Sequence, residues 1–287
     1  MSSVRKSSRL ALPAPSPEVA QNLCRFLTQS TGITADPQRL ARMLLKLEKR
    51  MADLDVSSWE DYYHFLSVNQ EEFLTFAALM TVNKTNFFRE EKHFGILRDH
   101  ALATWEKKPQ QKFLCWSAAC STGEEVYSMA MTLHELKAQN HLKYLDYGIL
   151  GTDINRDVLS QGESGVYSED VVLREVPPHL LKRYFWRGKG SQDGLYKVDE
   201  ELRSHTKFRL FNLVKADDSP QVKFDIIFLR NVLIYFNPLI QKQVIVTVAR
   251  HLSPSGLLCL GLCERMPDSV QGFQALGASV YRYEGGA

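Results

Sequence analysis

A change in apolar spacing near residue 112 constrains the fold of this 287-residue chain more than any other feature. Beyond it, short apolar runs alternate with helical segments, and the predicted strands cover residues 112–117, 147–152, 224–229, 257–262 and 280–283. Predicted helices over residues 122–137 and 239–252 lie between strands, and residues 253–256 are predicted to form a turn. Strands separated by helices pair in parallel through right-handed crossovers. The pattern therefore predicts a doubly wound α/β sheet.

Only helical spacing precedes that change. Ser16-Pro17-Glu18 combines a capping hydroxyl, a proline in the first turn and an acid near the positive end of the helix dipole. Asp36-Pro37 repeats this start, and Ser58 begins another helix with Asp61 as its capping-box partner. Apolar residues follow each start at helical spacing. The region is predicted to be all-helical.

The same patterns divide the chain into parts. We predict a flexible tail over residues 1–15, an N-terminal helical domain over residues 16–82 and a sheet domain over residues 83–287. A stretch from about residue 184 to 210 interrupts the strand–helix alternation, because short apolar runs there flank a cluster of glycines. This stretch predicts a small antiparallel β-subdomain inserted into the sheet domain.

Charge and cysteine usage exclude several classes of protein. A formal net charge of +2 argues against a nucleic-acid-binding protein, which needs a basic excess to neutralise phosphates. The five cysteines include no C-x-x-C pair, so we expect buried free thiols in a reducing compartment and no metal site. No apolar run approaches the ~18 residues of a membrane span, and prolines interrupt the basic N-terminus. We expect a cytoplasmic protein that does not insert into the membrane.

The first candidate binding segment, residues 117–125, follows a predicted strand and opens a helix. Its small residues let a ligand approach the backbone closely, and ligands of open α/β sheets bind beyond the strand ends. It lacks the G-x-G-x-x-G pattern, and Glu124 and Glu125 would repel a pyrophosphate. A cationic ligand such as S-adenosylmethionine, with its sulfonium and ammonium groups, suits it better. The alternative is a tight turn with a solvated acidic first helical turn.

Two further strand ends should face the same crevice. Asp153 could accept hydrogen bonds from both hydroxyls of a ribose, or could cap the next helix. The strand over residues 224–229 ends on Arg230-Asn231, where Asn231 could hold a cofactor or a substrate carboxylate and Tyr235 lies just beyond. The alternative is that Asn231 only turns the chain and that Tyr235 belongs to the core.

Residues 83–89, Asn-Lys-Thr-Asn-Phe-Phe-Arg, join the two predicted domains. Polar groups beside two aromatic residues at such a junction suit a ligand lid. The alternative is an interdomain hinge in which Phe87 and Phe88 are core residues.

Together, in this order, these segments resemble the chemotaxis receptor methyltransferases of the CheR family. The match covers about residues 18–283 and is close at residues 83–89, 116–128, 153, 165–167, 184–188 and 224–236. The resemblance implies a small helical domain followed by a Rossmann-like methyltransferase domain with an inserted β-subdomain. Cys120 and Val126 depart from the alanine and proline usual in the family.

The resemblance also implies an activity. Such an enzyme transfers a methyl group from S-adenosylmethionine to glutamate side chains on the cytoplasmic domain of methyl-accepting chemotaxis receptors, which gives methyl esters and S-adenosylhomocysteine. By motif position, the residues that would contact the cofactor are Asn83, Thr85, Arg89, Glu125, Asp153, Ile154, Asn212, Leu213, Asn231 and Val232. A glutamate is already ionised at pH 7, since its reference pKa is near ~4.3, so no general base is needed. Arg89 and Tyr235 are the candidates for orienting it, and His93 is expected at the surface.

Two regions are candidates for receptor docking. The loop with Arg187, Gly188 and Gly190 resembles the β-subdomain of members that dock on a C-terminal receptor pentapeptide, by strand addition. The helix over residues 38–50 carries Arg39, Arg42 and Lys46, together with Lys49 and Arg50, and could steer acidic receptor helices. A solvated helix face is the alternative for these basic residues.

Two other functions remain open on the sequence. One is a methyltransferase for nucleic acid, which the charge and the proline-free loop over residues 231–235 disfavour, because amino-methylating enzymes use an Asn-Pro-Pro-Tyr type of loop there. The other is a non-catalytic sensor that has kept the cofactor pocket.

Overall fold

The computed structural model describes residues 13–34, 37–81, 83–107, 111–138, 144–215 and 220–285. Residues 1–12 of the expected tail lie outside the described part, and so do the side chains of Pro37, Arg39 and Arg42. At the end of that tail, the Pro13 carbonyl accepts a hydrogen bond of 2.8 Å from the Trp59 indole. The chain forms two compact units, residues 1–81 and 82–287, called here the helical unit and the sheet unit.

The helical unit contains α1 (Pro17–Thr31), α2 (Pro37–Asp53), α3 (Trp59–Val68) and α4 (Gln70–Leu79). Two of the expected caps are present: the Ser16 hydroxyl accepts from the Val19 N–H at 3.3 Å, and the Ser58 hydroxyl from the Asp61 N–H at 3.0 Å. The third, Asp36, lies outside the described residues. The apolar stripes of these helices meet in a common core whose most buried members include Leu23, Leu27, Leu47, Tyr62 and Phe76.

One buried ionic network joins three of these helices. The Glu72 carboxylate, 1% exposed, accepts three hydrogen bonds from Arg50, the shortest at 2.6 Å, and one from the Tyr62 hydroxyl at 2.9 Å. Arg50 was expected on an exposed basic helix face. That expectation is wrong for Arg50, since its guanidinium turns to neutralise Glu72 and its side chain is 32% exposed.

The sheet unit contains ten strands among the described residues: β1 (Phe113–Ala118), β2 (Tyr147–Asp153), β3 (Val166–Ser168), β4 (Phe185–Arg187), β5 (Leu195–Val198), β6 (Thr206–Leu210), β7 (Phe224–Leu229), β8 (Leu252–Leu260), β9 (Phe273–Gly277) and β10 (Val280–Tyr283). Its described helices are α5 (Lys92–Lys107), α6 (Glu124–Ala138), α7 (Arg156–Ser164), α8 (Glu169–Glu175), α9 (Pro178–Tyr184), α10 (Glu200–Ser204) and α11 (Pro238–Ala249).

Seven strands form the main sheet in the order β6-β2-β1-β7-β8-β10-β9. The pairs from β6 to β8 are parallel, and β10 is antiparallel to both of its neighbours. The chain leaves β1 toward β2 and later returns on the other side of β1 as β7. This reversal puts the switch point of the sheet between β1 and β7, where ligands of doubly wound folds bind. The predicted fold class is confirmed.

The predicted limits of the β-subdomain are wrong at both ends. Its sheet has the order β3-β5-β4 and begins at Val166. The prediction missed β3 because a strand of three residues is too short to show an alternation of apolar and polar positions. Residues 206–210 do not belong to it. The short helix α10, capped by Asp199, turns the chain back so that β6 pairs in parallel with β2.

The turn predicted over residues 253–256 is also wrong. These residues lie within β8, which shifts register against β7 between Phe224 and Ile226. Ser255 takes the left-handed conformation there, with φ of 63°, as in a β-bulge. Within the described ranges, no helix has the length and apolar character that crossing a bilayer demands.

Candidate active site

The loop after β1 folds over the end of β2. The backbone N–H groups of Ala119 and Cys120 both donate to the Thr152 carbonyl at 2.8 Å. Ala119 and Ser121 adopt left-handed conformations, with φ of 74° and 50°, and Asn231 after β7 does so with φ of 57°. Such conformations are rare outside glycine and concentrate at functional sites. They gather here at the switch point.

Asp153 ends β2 and is 8% exposed. One carboxylate oxygen accepts from the Ser121 N–H at 2.9 Å and the other from the Asn155 N–H at 3.0 Å. Burial raises the pKa of Asp153, and these backbone hydrogen bonds oppose the rise. The capping alternative is wrong, because Asn155 caps α7 by accepting from the Asp157 N–H. A carboxylate has more acceptor positions than these backbone groups use, so Asp153 can still accept from a hydroxyl donor.

Glu125 lies in the first turn of α6, beside the end of β1. The Ser117 hydroxyl donates to one of its oxygens at 2.6 Å, and Arg230 donates to the other at 3.0 Å. Its side chain is 15% exposed. The carboxylate is therefore oriented from two neighbouring strands.

Arg230 is the centre of the site's charge network, and sequence reasoning assigned it no role. Its side chain is 1% exposed, pairs with Glu90 at 3.0 Å and with Glu125, and donates to the Arg89 carbonyl. The guanidinium lies 5.2 Å from the Phe228 ring centroid, a cation–π contact. A signal did exist: an arginine that ends a buried, mostly apolar strand needs carboxylate partners.

Two further carboxylates that the sequence analysis missed hold the loop after β7. Glu90 accepts from the Asn231 amide at 3.3 Å and from the Leu262 N–H at 3.2 Å. Burial raises the pKa of Glu90, but the hydrogen bonds and charge of Arg230 lower it more, so its pKa lies below the usual value. Glu264, 4% exposed, accepts from the Asn231 N–H at 2.7 Å.

The segment over residues 83–89 is anchored to the sheet unit at several points. The Asn83 carbonyl accepts from the Ser121 hydroxyl at 3.1 Å. The Phe87 ring is buried and contacts Tyr167 and Phe185 edge-on, in agreement with its predicted alternative as a core residue. The Arg89 guanidinium donates to the Lys84 carbonyl at 2.9 Å, and Thr85 is half-buried.

The remaining predicted pocket residues lie beside these strand ends. Phe211 donates its N–H to the Asp153 carbonyl at 2.9 Å, which places Asn212 and the buried Leu213 next to the end of β2. Ile154, Val232 and Tyr235 follow β2 and β7 and are half-buried. Hydrogen bonds thus form two sets at the strand ends: Ser121 joins Asn83 to Asp153, and Arg230 with Glu90 joins Glu125, Asn231 and the Arg89 carbonyl.

His93 was expected at the surface, and that expectation is wrong. Its side chain is fully buried in α5, its Nε2 lies 2.7 Å from the Ala278 carbonyl, and burial lowers its pKa. The other ring nitrogen, Nδ1, lies 3.6 Å from a Glu90 oxygen, so the imidazole borders the charge network around Arg230. The His93 ring also packs edge-on against the Phe228 ring.

Among the predicted docking residues that the structure describes, Arg187 and Lys46 have exposed side chains. Arg187 on β4 is 57% exposed and pairs with Glu169 at 3.1 Å. Gly188 fits a tight turn in which an added Cβ would lie 2.0 Å from the Gln192 carbonyl oxygen, and Gly190 is left-handed with φ of 61°. Lys46 is exposed on α2, while the side chains of Arg39 and Arg42 fall outside what the structure describes.

The donor set suits a cationic nucleoside. Glu90, Glu125 and Asp153 contribute carboxylates, which Arg230 and Arg89 only partly balance. Asp153 can receive ribose hydroxyls, and the residual negative charge favours a sulfonium and an ammonium group. Across the described residues, no three His, Cys, Asp or Glu side chains gather in a way that could hold a metal ion.

Comparison with known proteins agrees with this geometry. The model of the CheR methyltransferase SAM-binding domain matches residues 83–282, and that of the CheR methyltransferase all-alpha domain matches residues 20–81. The chain is 33% identical over 263 residues to the chemotaxis protein methyltransferase of Salmonella typhimurium, covering 91% of this chain and 88% of that one. It is 35% identical over 263 residues to chemotaxis protein methyltransferase 2 of Pseudomonas aeruginosa, covering 91% of each chain. The chain therefore belongs to the CheR methyltransferase family.

Proposed function

We propose that this S-adenosylmethionine-dependent methyltransferase is a cytoplasmic enzyme that esterifies glutamate side chains of chemotaxis receptors. The observation that carries the proposal is the acidic cluster at the switch point, where the half-buried Glu125 and the buried Asp153 are oriented by hydrogen bonds. The relatives named as chemotaxis protein methyltransferases support the receptor as substrate.

Within the pocket, each predicted cofactor residue has a physical task. Asp153 would receive the ribose hydroxyls, and Asn212 and Leu213 would flank the adenine. Glu125 would neutralise the cationic end, while Asn83, Thr85, Arg89, Ile154, Asn231 and Val232 would close the pocket. These assignments rest on position in the family's motifs and on the network that joins the strand ends.

The proposed chemistry is an in-line displacement in which S-adenosylmethionine supplies the methyl group to a glutamate oxygen. The glutamate is ionised at neutral pH, so the protein has to position it rather than deprotonate it. Arg89 and Tyr235 are the groups proposed to orient its carboxylate. Correct alignment can supply on the order of 7 to 11 kcal/mol of the barrier.

Two surfaces are proposed to bring the receptor to the enzyme. The edge strand β4 could accept a C-terminal receptor peptide by strand addition, with Arg187 exposed beside Gly188 and Gly190 to meet its carboxylates. The basic residues Arg39, Arg42 and Lys46 on α2 could attract acidic receptor helices. Calorimetry with a receptor C-terminal peptide tests the first surface, and loss of binding in Arg187→Ala would support it.

Transfer of a labelled methyl group tests the function itself. Purified protein, labelled S-adenosylmethionine and a receptor cytoplasmic domain should give labelled receptor that releases methanol in mild base, because esters hydrolyse and N-methyl groups do not. Label in nucleic acid would favour the second class of methyltransferase. Cofactor binding without transfer to the receptor would favour the non-catalytic sensor.

A further inference from the structure

Glu264 lies between the ends of β7 and β8 and is 4% exposed. One of its carboxylate oxygens accepts from the N–H groups of Asn231 and Gly261, both at 2.7 Å. The other accepts from the Ile234 N–H at 3.3 Å. These partners are backbone groups from two strand ends, so the carboxylate takes the place of the hydrogen-bond acceptors that regular structure would supply.

The residue that Glu264 holds is in an uncommon conformation. Asn231 has φ of 57°, and its N–H points away from the regular continuation of β7 toward the Glu264 carboxylate. An Asn tolerates this region better than most residues, but the surroundings must still favour it. Glu264 does so for the main chain, and Glu90 holds the side chain of the same residue at 3.3 Å.

The packing leaves little freedom for this arrangement. A Cβ added at Gly261 would lie 2.6 Å from the Asn231 amide nitrogen and 2.8 Å from a Glu264 oxygen. The backbone around Glu264 is itself fixed, since its N–H donates to the Gly261 carbonyl at 2.8 Å and its carbonyl accepts from the Ser279 hydroxyl at 2.9 Å. A small displacement of the carboxylate would therefore be transmitted directly to Asn231.

We propose that Glu264 is a positioning residue for the methyl-donor pocket, which sets the backbone of Asn231 and Val232 in the orientation that closes on the donor. The proposal rests on the proposed function, in which Asn231 and Val232 border the cofactor. Glu264 itself contacts the backbone and acts through Asn231. Its effect should therefore appear in affinity for the donor and its product, and not in affinity for the receptor.

The variant Glu264→Gln tests this assignment while keeping the side-chain size. Its amide can offer an acceptor oxygen to one side only, so either the Asn231 and Gly261 donors or the Ile234 donor faces an NH2 group. We expect the Kd for S-adenosylhomocysteine, measured by calorimetry, to rise about 10-fold, which corresponds to about 1.4 kcal/mol. The KM for S-adenosylmethionine should rise in parallel, and the KM for the receptor should stay within about twofold.

A matched control comes from the helical unit. Glu72→Gln also alters a buried carboxylate with several donors, so it should lower Tm while leaving the Kd for S-adenosylhomocysteine unchanged. Gly261→Ala provides a second approach, because its methyl group would displace the same pair of groups, and it decides the matter if Glu264→Gln does not fold.

The outcomes distinguish failure of the positioning role of Glu264 from failure of the proposed function. Weaker product binding in Glu264→Gln and Gly261→Ala, with normal binding in Glu72→Gln, supports the positioning role. Wild-type affinity in folded Glu264→Gln, or an equal loss in Glu72→Gln, overturns it. Failure of the wild-type protein to bind S-adenosylhomocysteine would instead remove the proposed function on which the role depends.

Discussion

The helical unit and the sheet unit each bury an arginine–carboxylate network, and the two networks are built differently. In the helical unit, Arg50 and Glu72 lie within helices whose backbone hydrogen bonds are already made. In the sheet unit, Arg230 follows the end of β7 and its partner Glu90 lies in the turn before α5, so both are outside regular structure, and Glu90 and Asn231 are left-handed. A buried ion pair alone therefore does not mark a ligand site.

Charge balance separates the two networks further. Glu72 faces one arginine and a tyrosine hydroxyl, so its negative charge is compensated within the unit. Arg230 faces Glu90 and Glu125, and Asp153 ends β2, which is separated from β7 by β1. A cationic ligand can pair with the excess negative charge beside this irregular backbone. The carboxylates have already lost hydration on folding, so their desolvation does not have to occur when the ligand binds.

The largest expected effect comes from removing the central arginine of each network. Arg230→Met leaves the carboxylates of Glu90 and Glu125, 14% and 15% exposed, without their partner and should lower the free energy of unfolding of the sheet unit by about 3–5 kcal/mol. Arg50→Met should cost the helical unit about 1–3 kcal/mol, since Tyr62 still donates to Glu72 and solvent already reaches part of Arg50.

Urea unfolding with and without S-adenosylhomocysteine measures both, because the product should shift only the transition of the unit that binds it. Arg230→Met should abolish that shift, and Arg50→Met should retain it. Equal losses of stability, with product binding intact in both variants, would show that the network of Arg230, Glu90 and Glu125 does not serve ligand binding.

Arg89→Ala should lower kcat about 100-fold, because misplacing a reacting group by about 1 Å has an effect of this size. The guanidinium of Arg89 is half-buried and bonds only locally, to the Lys84 carbonyl, among the contacts that the structure describes for it, so the fold should persist. Arg98→Ala, which removes an exposed arginine of α5, is the control and should leave kcat unchanged. A steady-state receptor assay that found equal rates in both variants would remove Arg89 from the site.

Much of the architecture could be predicted because it depends on local patterns. The strands over residues 224–229 and 280–283 match their predictions fully, since turn signals bound both of these short runs. The parts that failed depend on distant partners. Residues 206–210 alternate like an insertion strand, but their pairing with β2 is decided by the turn that α10 makes.

The site shows the same division. Glu125, Asp153 and Asn231 could be found because each follows a strand that the apolar pattern locates. Glu90 and Glu264 could not, since nothing local distinguishes a carboxylate whose hydrogen-bond donors, the side-chain amide and the backbone N–H of Asn231, lie 141 and 33 residues away. The burial of His93 was missed for a related reason: its partner, the Ala278 carbonyl, lies at the opposite end of the unit's sequence.

Asp153→Asn should weaken the binding of S-adenosylhomocysteine about 10-fold, since it replaces one acceptor oxygen with a donor. The Ser121 and Asn155 N–H groups would then compete with the ribose for the remaining oxygen. Asp157→Asn, an exposed position in the first turn of α7, is the matched control. Calorimetry that gave the same Kd for both variants would show that Asp153 stabilises the loop after β1 and does not bind the ligand.

Acid should weaken the sheet unit in a way that His93 explains in part. Burial lowers the pKa of His93 below 6.5, so the unfolded chain binds a proton near pH 6.5 while the folded one stays neutral. The free energy of unfolding should therefore fall as the pH drops below 6.5, by about 1.4 kcal/mol per pH unit for this group until the folded pKa is reached. Burial lowers the pKa of His100 and His134 in the same direction.

Calorimetric melting between pH 7.5 and 5.5 measures this dependence. In His93→Gln the transition that S-adenosylhomocysteine raises should depend less steeply on pH, while an amide can still donate to the Ala278 carbonyl. An unchanged slope in this variant would mean that the unfolded chain does not gain a proton at this position.

The smallest expected effect concerns the surface of the helical unit. Reversing the charges of Arg39, Arg42 and Lys46 should raise the KM for the receptor about 3- to 5-fold at low salt, within the ~1 kcal/mol that exposed charges contribute. The difference should disappear near 0.5 M salt, because screening shortens the reach of exposed charges to a few ångströms. Lys242→Glu, an exposed charge reversal on α11, should leave that KM unchanged.

If low-salt KM values did not differ between the two variants, α2 would have no docking role, and the Arg50–Glu72 network would hold together a unit whose contribution is structural. If they differed as expected, the same network would serve function indirectly, by fixing the helix that carries the basic surface.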